Sequence, residues 1–228
     1  MLELFSINTI ALTILGYPMS YLELAGTVFN LWCVWLVTRR KVLSWPVGLA
    51  GVVLFALLFW QIQLYADVLE QVYYFVTGVW GWVLWRRVSG GPDVTQVPIE
   101  RLTTTERVRW LVGILVSALA LGLLLTRVHI WLPSVFLEPA SLPYLDALTT
   151  VMSFAAQILL MRRVVENWVL WIVVDVLAIG LYAVKGVMLV SVLYVVFLVL
   201  ASKGLWDWVR VYRANVAITR SRFLPSQE

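Results

Sequence analysis

Tyr21-Leu22-Glu23-Leu24-Ala25-Gly26-Thr27-Val28 returns 123 positions later as Tyr144-Leu145-Asp146-Ala147-Leu148-Thr149-Thr150-Val151. The same ungapped offset brings Arg39 and Arg40 onto Arg162 and Arg163, Trp45 onto Trp168, and Phe59 onto Tyr182. It also brings Gly81, Trp85 and Arg87 onto Gly204, Trp208 and Arg210. Apolar matches between two greasy segments are expected. Acidic, basic and tryptophan matches at one offset are not, and they read as a duplication.

Outward from these segments the chain is unusually apolar. It has 228 residues, 62% hydrophobic and 13% charged, against about 25% charged in an ordinary soluble domain. A soluble core of this size cannot bury so much apolar surface, and lipid is its natural solvent. A span needs about 20 apolar residues. Runs of that kind lie near 21–38, 43–63, 66–85, 108–126, 143–161, 167–185 and 187–206. The second and third part at Gln61, Gln63 and Asp67; the sixth and seventh part at Lys185–Gly186. Val88–Pro98 and His129–Pro143 hold the prolines that mark loops. Residues 1–16 lack the basic start of a cleavable signal and contain Glu3, so they read as a short interfacial helix ending before Pro18.

The expected fold is an all-α membrane protein of seven transmembrane helices in a 3+1+3 parallel repeat. Its parts are an interfacial segment (1–20), a first three-helix repeat (21–87), and a middle part (88–142). The middle part holds a cytoplasmic loop, a linker helix and an outer loop. A second three-helix repeat (143–210) and a cytoplasmic tail (211–228) complete the chain. An odd linker gives both triplets the same orientation, an architecture of transporters with a midplane site between the halves. With the N-terminus outside, 15 of the 17 Lys and Arg residues lie inside, and only Arg127 and Lys185 lie outside. This is a strong positive-inside pattern. Trp45, Trp82, Trp85, Trp206 and Trp208 fall near span ends, as an aromatic belt requires.

Several classes drop out. Cys33 is the single cysteine and excludes an internal disulfide. The net charge of +4 comes from basic residues scattered between apolar runs, so no nucleic-acid partner is expected. There is no Walker loop, no His/Cys cluster for a metal, and His129 is the only histidine, in an expected outer loop. No enzyme and no cofactor is expected.

Polar residues within spans usually face the bundle interior. Trp168, Trp171 and Asp175 share one helical face, continued by Tyr182. An aromatic wall beside a carboxylate suits a flat cation. On the third span, Gln71 and Tyr74 are the preferred solute contacts, while Glu70 could instead face a neighbouring helix or subunit. Asn30 and Gln157 lie near midplane on the first and fifth spans, and interhelical hydrogen bonding is their plainer role. Glu23 and Asp146 could form an outer gate or simply favour helix starts. Arg162 and Arg163 read most simply as topology determinants.

Phe59-Trp60-Gln61-Ile62-Gln63-Leu64-Tyr65-Ala66, Gln71-Val72-Tyr73-Tyr74-Phe75 and Gly81-Trp82 are similar to the PnuC family of vitamin transporters. So is Arg162-Arg163-Val164-Val165-Glu166-Asn167-Trp168-Val169-Leu170-Trp171, and the resemblance runs from about Tyr21 to Trp208. It implies a duplicated half-SWEET-like fold. It also implies facilitated diffusion of nicotinamide riboside across the bacterial inner membrane, feeding NAD biosynthesis, with trapping by a cytosolic kinase and a homotrimeric assembly. Trp168, Trp171, Asn167, Gln71 and Tyr74 match its motif positions. Asp175 stands where such carriers are expected to have asparagine. Nicotinamide riboside and thiamine are both cations, so thiamine is the alternative solute and neutral vitamins become less attractive. A non-transporting membrane sensor or assembly subunit is the rival from another class.

Overall fold

A computed structural model describes residues 6–14, 16–89, 97–131, 142–184, 186 and 188–223, with the side chains of 66 and 218–223 not described. Lys185, Glu3 and most of the expected outer loop lie outside the described residues.

A two-stranded antiparallel hairpin, β1 (Ile10–Ile14) and β2 (Tyr17–Ser20), precedes the helices. This corrects the interfacial helix expected before Pro18. Ile10, Thr13 and Ile14 are β-branched, and Gly16 takes a left-handed φ of 82° in the turn, which glycine adopts without strain. Ser20 ends β2 and caps α1 (Tyr21–Thr38) by accepting from the Glu23 amide. The Tyr17 hydroxyl donates to Glu23, and burial, followed by that carboxylate, raises the Tyr17 phenol above its ordinary value. Glu23 therefore closes a helix start.

The remaining helices are α2 (Ser44–Gln61), α3 (Tyr65–Val88), α4 (Thr104–Leu125), the single turn α5 (Val128–Trp131), α6 (Pro143–Met161), α7 (Asn167–Val184) and α8 (Met188–Phe223). Six of them, α1, α2, α4, α6, α7 and α8, are long and apolar enough to cross a membrane. α3 carries Asp67, Glu70, Arg86 and Arg87, and α8 runs well beyond the expected 206, through Lys203 and Arg210. Exposed Leu111, Val116 and Leu119 on α4, and Val72 and Val76 on α3, form the apolar outer surface a bilayer requires.

Neighbours close a ring. α1 packs on α2, α2 on α3, α3 on α6, α6 on α7, α7 on α8, and α8 returns to α1, with α4 outside against α6. Equivalent details recur 123 residues apart. Left-handed backbone ends α1 at Arg40 (φ 57°) and α6 at Arg163 (φ 61°), and follows α2 at Gln63 (φ 61°) and α7 at Gly186 (φ 76°).

At the arginine-rich end the helices before α4 and those after it are tied reciprocally. The Trp85 indole donates 3.2 Å to the Met161 carbonyl, and the Trp208 indole donates 3.2 Å to the Val37 carbonyl. Trp45 meets Trp85 edge-on at 5.3 Å and Trp168 meets Trp208 at 5.6 Å. Gly81 and Gly204 make room for the Trp45 and Trp168 rings. Trp45, Trp85 and Trp208 are thus buried in a core layer, which corrects their assignment to an aromatic belt. The Trp85 and Trp208 indoles donate inward, and the buried Trp45 ring packs on Gly81 and Trp85, so none of the three serves a headgroup layer. Trp206 is 65% exposed and keeps that option.

A segment before α4 straps this end. Val97 and Glu100 donate backbone N–H to the Arg40 and Arg163 carbonyls. Arg40 returns a bond to the Val97 carbonyl, and burial lowers its guanidinium below the usual arginine value. Arg163 pairs with Glu100 at 2.7 Å, while Glu166 receives Arg107 at 2.8 Å and Arg101 at 3.5 Å and accepts from the Leu102 amide. Arg163 therefore has a structural partner beyond any topological role.

Candidate functional site

α3 and α6 run parallel, about 80 residues apart in sequence, and exchange polar contacts along their length. Thr150 donates 3.1 Å to Glu70, Tyr73 donates 2.9 Å to the Phe154 carbonyl, and the Gln157 amide makes a long 3.5 Å contact to Thr77. Tyr73 and Phe154 rings lie 4.0 Å apart, and the Tyr74 ring meets Phe154 edge-on at 6.1 Å. These bonds satisfy groups that hydrocarbon would penalise, and they turn the polar side of α3 toward the ring interior.

Tyr182 of α7 and Tyr194 of α8 stack at 5.6 Å with planes 13° apart. Tyr194 feels the charges of Asp175, Glu70 and Asp67, and Tyr74 feels that of Glu70. Asp175 is 4% exposed, and its Oδ2 has no hydrogen-bond partner among the described residues. A carboxylate so placed is stabilised by an incoming cation or donor. Residues of α3, α6, α7 and α8 thus surround one acidic, tyrosine-rich region inside the ring.

Of the residues expected from sequence, Asp175, Tyr74 and Gln157 fall here. Gln71 is half-buried, one helical turn from Tyr74, and 123 positions before Tyr194. Trp171 is half-buried and packs against both the tryptophan layer and the α4–α6–α7 cluster of Ile114, Met152 and Val174. Trp168 and Asn167 sit one level nearer the arginine-rich end. Trp168 is 2% exposed, with its indole N–H unpartnered. Asn167 is fully buried, donates 2.6 Å to the Val164 carbonyl and keeps an unpartnered Oδ1. Asn30 lies in the α1–α2 contact, its Oδ1 against Gly51. That is the interhelical position its plainer reading gives.

Tyr194, Thr77 and Ser153 are not legible as site residues in the sequence because isolated hydroxyls inside apolar runs carry no spacing signal, and Thr150 is legible there only as a repeat position. Tyr194 had one: it occupies the repeat position of Gln71. Outside the ring, a cleft of about 440 Å³ lies between α4 and α6 against Trp110, Ile114 and Phe154. Its lining is mainly apolar, and it lacks the carboxylates of the interior.

A family model described as nicotinamide mononucleotide transporter matches residues 20–210. The nicotinamide riboside transporter PnuC of Escherichia coli is 32% identical over 216 residues, covering 87% of this chain and 89% of that protein. The riboflavin/roseoflavin transporter RibM of Streptomyces davaonensis is 25% identical over 203 residues, covering 89% and 91%. A crystal structure of the vitamin B3 transporter PnuC is 27% identical, with a TM-score of 0.66 over 85% of this chain and 83% of that one.

Proposed function

This chain belongs to the nicotinamide mononucleotide transporter family, a family of membrane transporters and not of enzymes, and on that premise we propose that it takes up nicotinamide riboside. The observation within the fold that supports this solute is Asp175, a nearly fully buried carboxylate with an unpartnered oxygen on the same helix as Trp171. The pyridinium of nicotinamide riboside is a flat cation. It stacks on Trp171, with Trp168 as the floor, and each such contact contributes roughly 0.5–2 kcal/mol. Asp175 lowers the free energy of holding that charge inside the ring. Gln71, Tyr74, Gln157 and the free Oδ1 of Asn167 supply hydrogen bonds for the carboxamide and ribose, and Asn30 supports the α1–α2 wall.

The finer architecture belongs to the same proposal. α3 is 24 residues long, about 36 Å at 1.5 Å per residue, so it crosses the membrane as a seventh span with its acids turned inward. The matched left-handed turns and the reciprocal tryptophan bonds support a 3+1+3 parallel repeat around α4. The arginine-rich end faces the cytosol of a bacterial inner membrane, the N-terminus faces outward, and the assembly is a homotrimer. Transport is facilitated diffusion by rocking of the halves, with a cytosolic kinase trapping the product.

The test is uptake by purified protein in liposomes, with nicotinamide riboside, thiamine and riboflavin offered in parallel. Saturable entry of nicotinamide riboside alone supports the proposal. Thiamine entry alone moves the solute, riboflavin entry alone sides with the RibM relative, and binding without flux favours a sensor.

A further inference from the structure

Four carboxylates converge on the half of the bundle away from the arginine-rich end. Asp67 and Glu70 stand in the first turns of α3, Asp146 in the first turn of α6, and Asp175 on α7. Their charges meet at one aromatic pair. Asp175 and Tyr182 lie seven residues apart on one face of α7, Glu70 is held by Thr150 of α6, and both Tyr182 and Tyr194 lie within the electrostatic reach of the acids. The two rings stack face to face.

No basic side chain among the described residues forms an ion pair with any of the four. The ion pairs there join Arg101 and Arg107 to Glu166, Arg163 to Glu100, and Lys203 to Asp207, all at or beyond the arginine-rich end. Like charges repel more strongly away from bulk water, so such a group favours the approach of a cation and opposes an anion. An acid cluster at helix starts could be solvated and idle. Asp175 argues otherwise, because it is 4% exposed and keeps an unpartnered oxygen. Thr150 fixes Glu70 by a 3.1 Å bond across the α3–α6 contact, so its carboxylate is oriented and not free to swing away.

We infer that Asp67, Glu70 and Asp175, set around the Tyr182–Tyr194 stack, form a charge filter that selects solutes carrying a fixed positive charge over neutral molecules of the same shape. This rests on the proposed uptake of nicotinamide riboside and adds its specificity-determining residues on α3. The tyrosine faces contribute cation–π attraction and the carboxylates contribute the long-range field, so both discriminate by charge and neither by ring size.

The experiment compares nicotinamide riboside with its dihydro form in proteoliposomes of the full chain. The two share ribose and carboxamide and differ in the ring's positive charge. The wild-type protein is expected to take up the cation about ten-fold faster or more. Glu70→Gln and Asp67→Asn are each expected to shrink that ratio about three-fold or more, mainly by slowing the cation. Both solutes are read on one preparation, so a change in protein yield cancels from the ratio, and Asp67→Asn serves if Glu70→Gln fails to insert. Equal wild-type rates for the two forms overturn the filter and leave nicotinamide riboside uptake standing. An unchanged ratio in both variants overturns the role of the α3 acids. Uptake of neither form overturns the proposed function, and the filter with it.

Discussion

Gly204→Ala tests the tryptophan layer that joins the helices before α4 to those after it. A Cβ on Gly204 would lie 2.6 Å from Cε2 and Cζ2 of Trp168. That is about 1 Å inside an ordinary carbon–carbon contact of about 3.5–4.0 Å. The ring has nowhere easy to retreat, because it is 2% exposed and its other side meets Trp208 edge-on. Overpacking of this kind costs about 1–3 kcal/mol, and the fixed far side puts this site in the upper part of that range. Replacing a helical glycine by alanine returns about 1 kcal/mol. The net loss is then about 1–2 kcal/mol, or about 2–8 °C in Tm for a chain of this length. Gly81→Ala, which crowds Trp45 in the same way, should behave alike. Gly113→Ala is the control, because nothing lies within 4 Å of a Cβ there; it should melt level with the wild type or slightly above it. The assay is thermal unfolding of the three variants in one detergent, followed by intrinsic fluorescence. If Gly204→Ala melts as high as Gly113→Ala, the ring is not clamped and the tight tryptophan layer is wrong.

Trp171→Ala should weaken nicotinamide riboside binding more than ten-fold, a loss of at least about 1.4 kcal/mol, with expression intact; a fluorescence titration showing wild-type affinity would remove Trp171 from the site. Asp175→Asn should raise Tm, since a buried carboxylate with a free oxygen is replaced by a neutral isostere. It should also weaken the cationic solute several-fold, about 1 kcal/mol; an unchanged Tm and an unchanged Kd together would show that the acid carries no charge-dependent role. Glu166→Ala removes the acceptor for Arg101, Arg107 and the Leu102 amide, at about 1–2 kcal/mol given the exposure of the arginines. Tryptic cleavage at Arg101 should then quicken, and an unaltered cleavage rate would mean the strap holds without it.

The helix boundaries were largely legible, because hydropathy and charge mark where a segment can sit in lipid. α1, α6 and α7 start and stop within a residue of the expected 21–38, 143–161 and 167–185. α8 overran its expectation because hydropathy ends at Lys203, whereas the backbone hydrogen bonds of a helix do not depend on lipid. The hairpin is not legible from hydropathy, because a short apolar run distinguishes helix from strand only through its turn, here Gly16. Of the site, the strongest letters were readable: an aspartate and a glutamine in apolar helices can hardly be idle. The burial of Trp45, Trp85 and Trp208 was not, since a tryptophan near a span end fits both a headgroup layer and an interior contact. The repeated spacing of Gly81 to Trp45 and of Gly204 to Trp168 was the overlooked sign, because a glycine retained opposite a bulky ring in both halves points to close packing.

The bond from Trp208 to the Val37 carbonyl joins positions 171 residues apart. During synthesis the first hairpin enters the membrane long before its indole partner exists. Until then the Val37 carbonyl holds only its local bond, from the Arg40 amide at 2.8 Å. The second acceptor site of a carbonyl in the first helix is therefore filled by one of the last helices to be made, and closing the ring is a late event that joins the two ends of the chain.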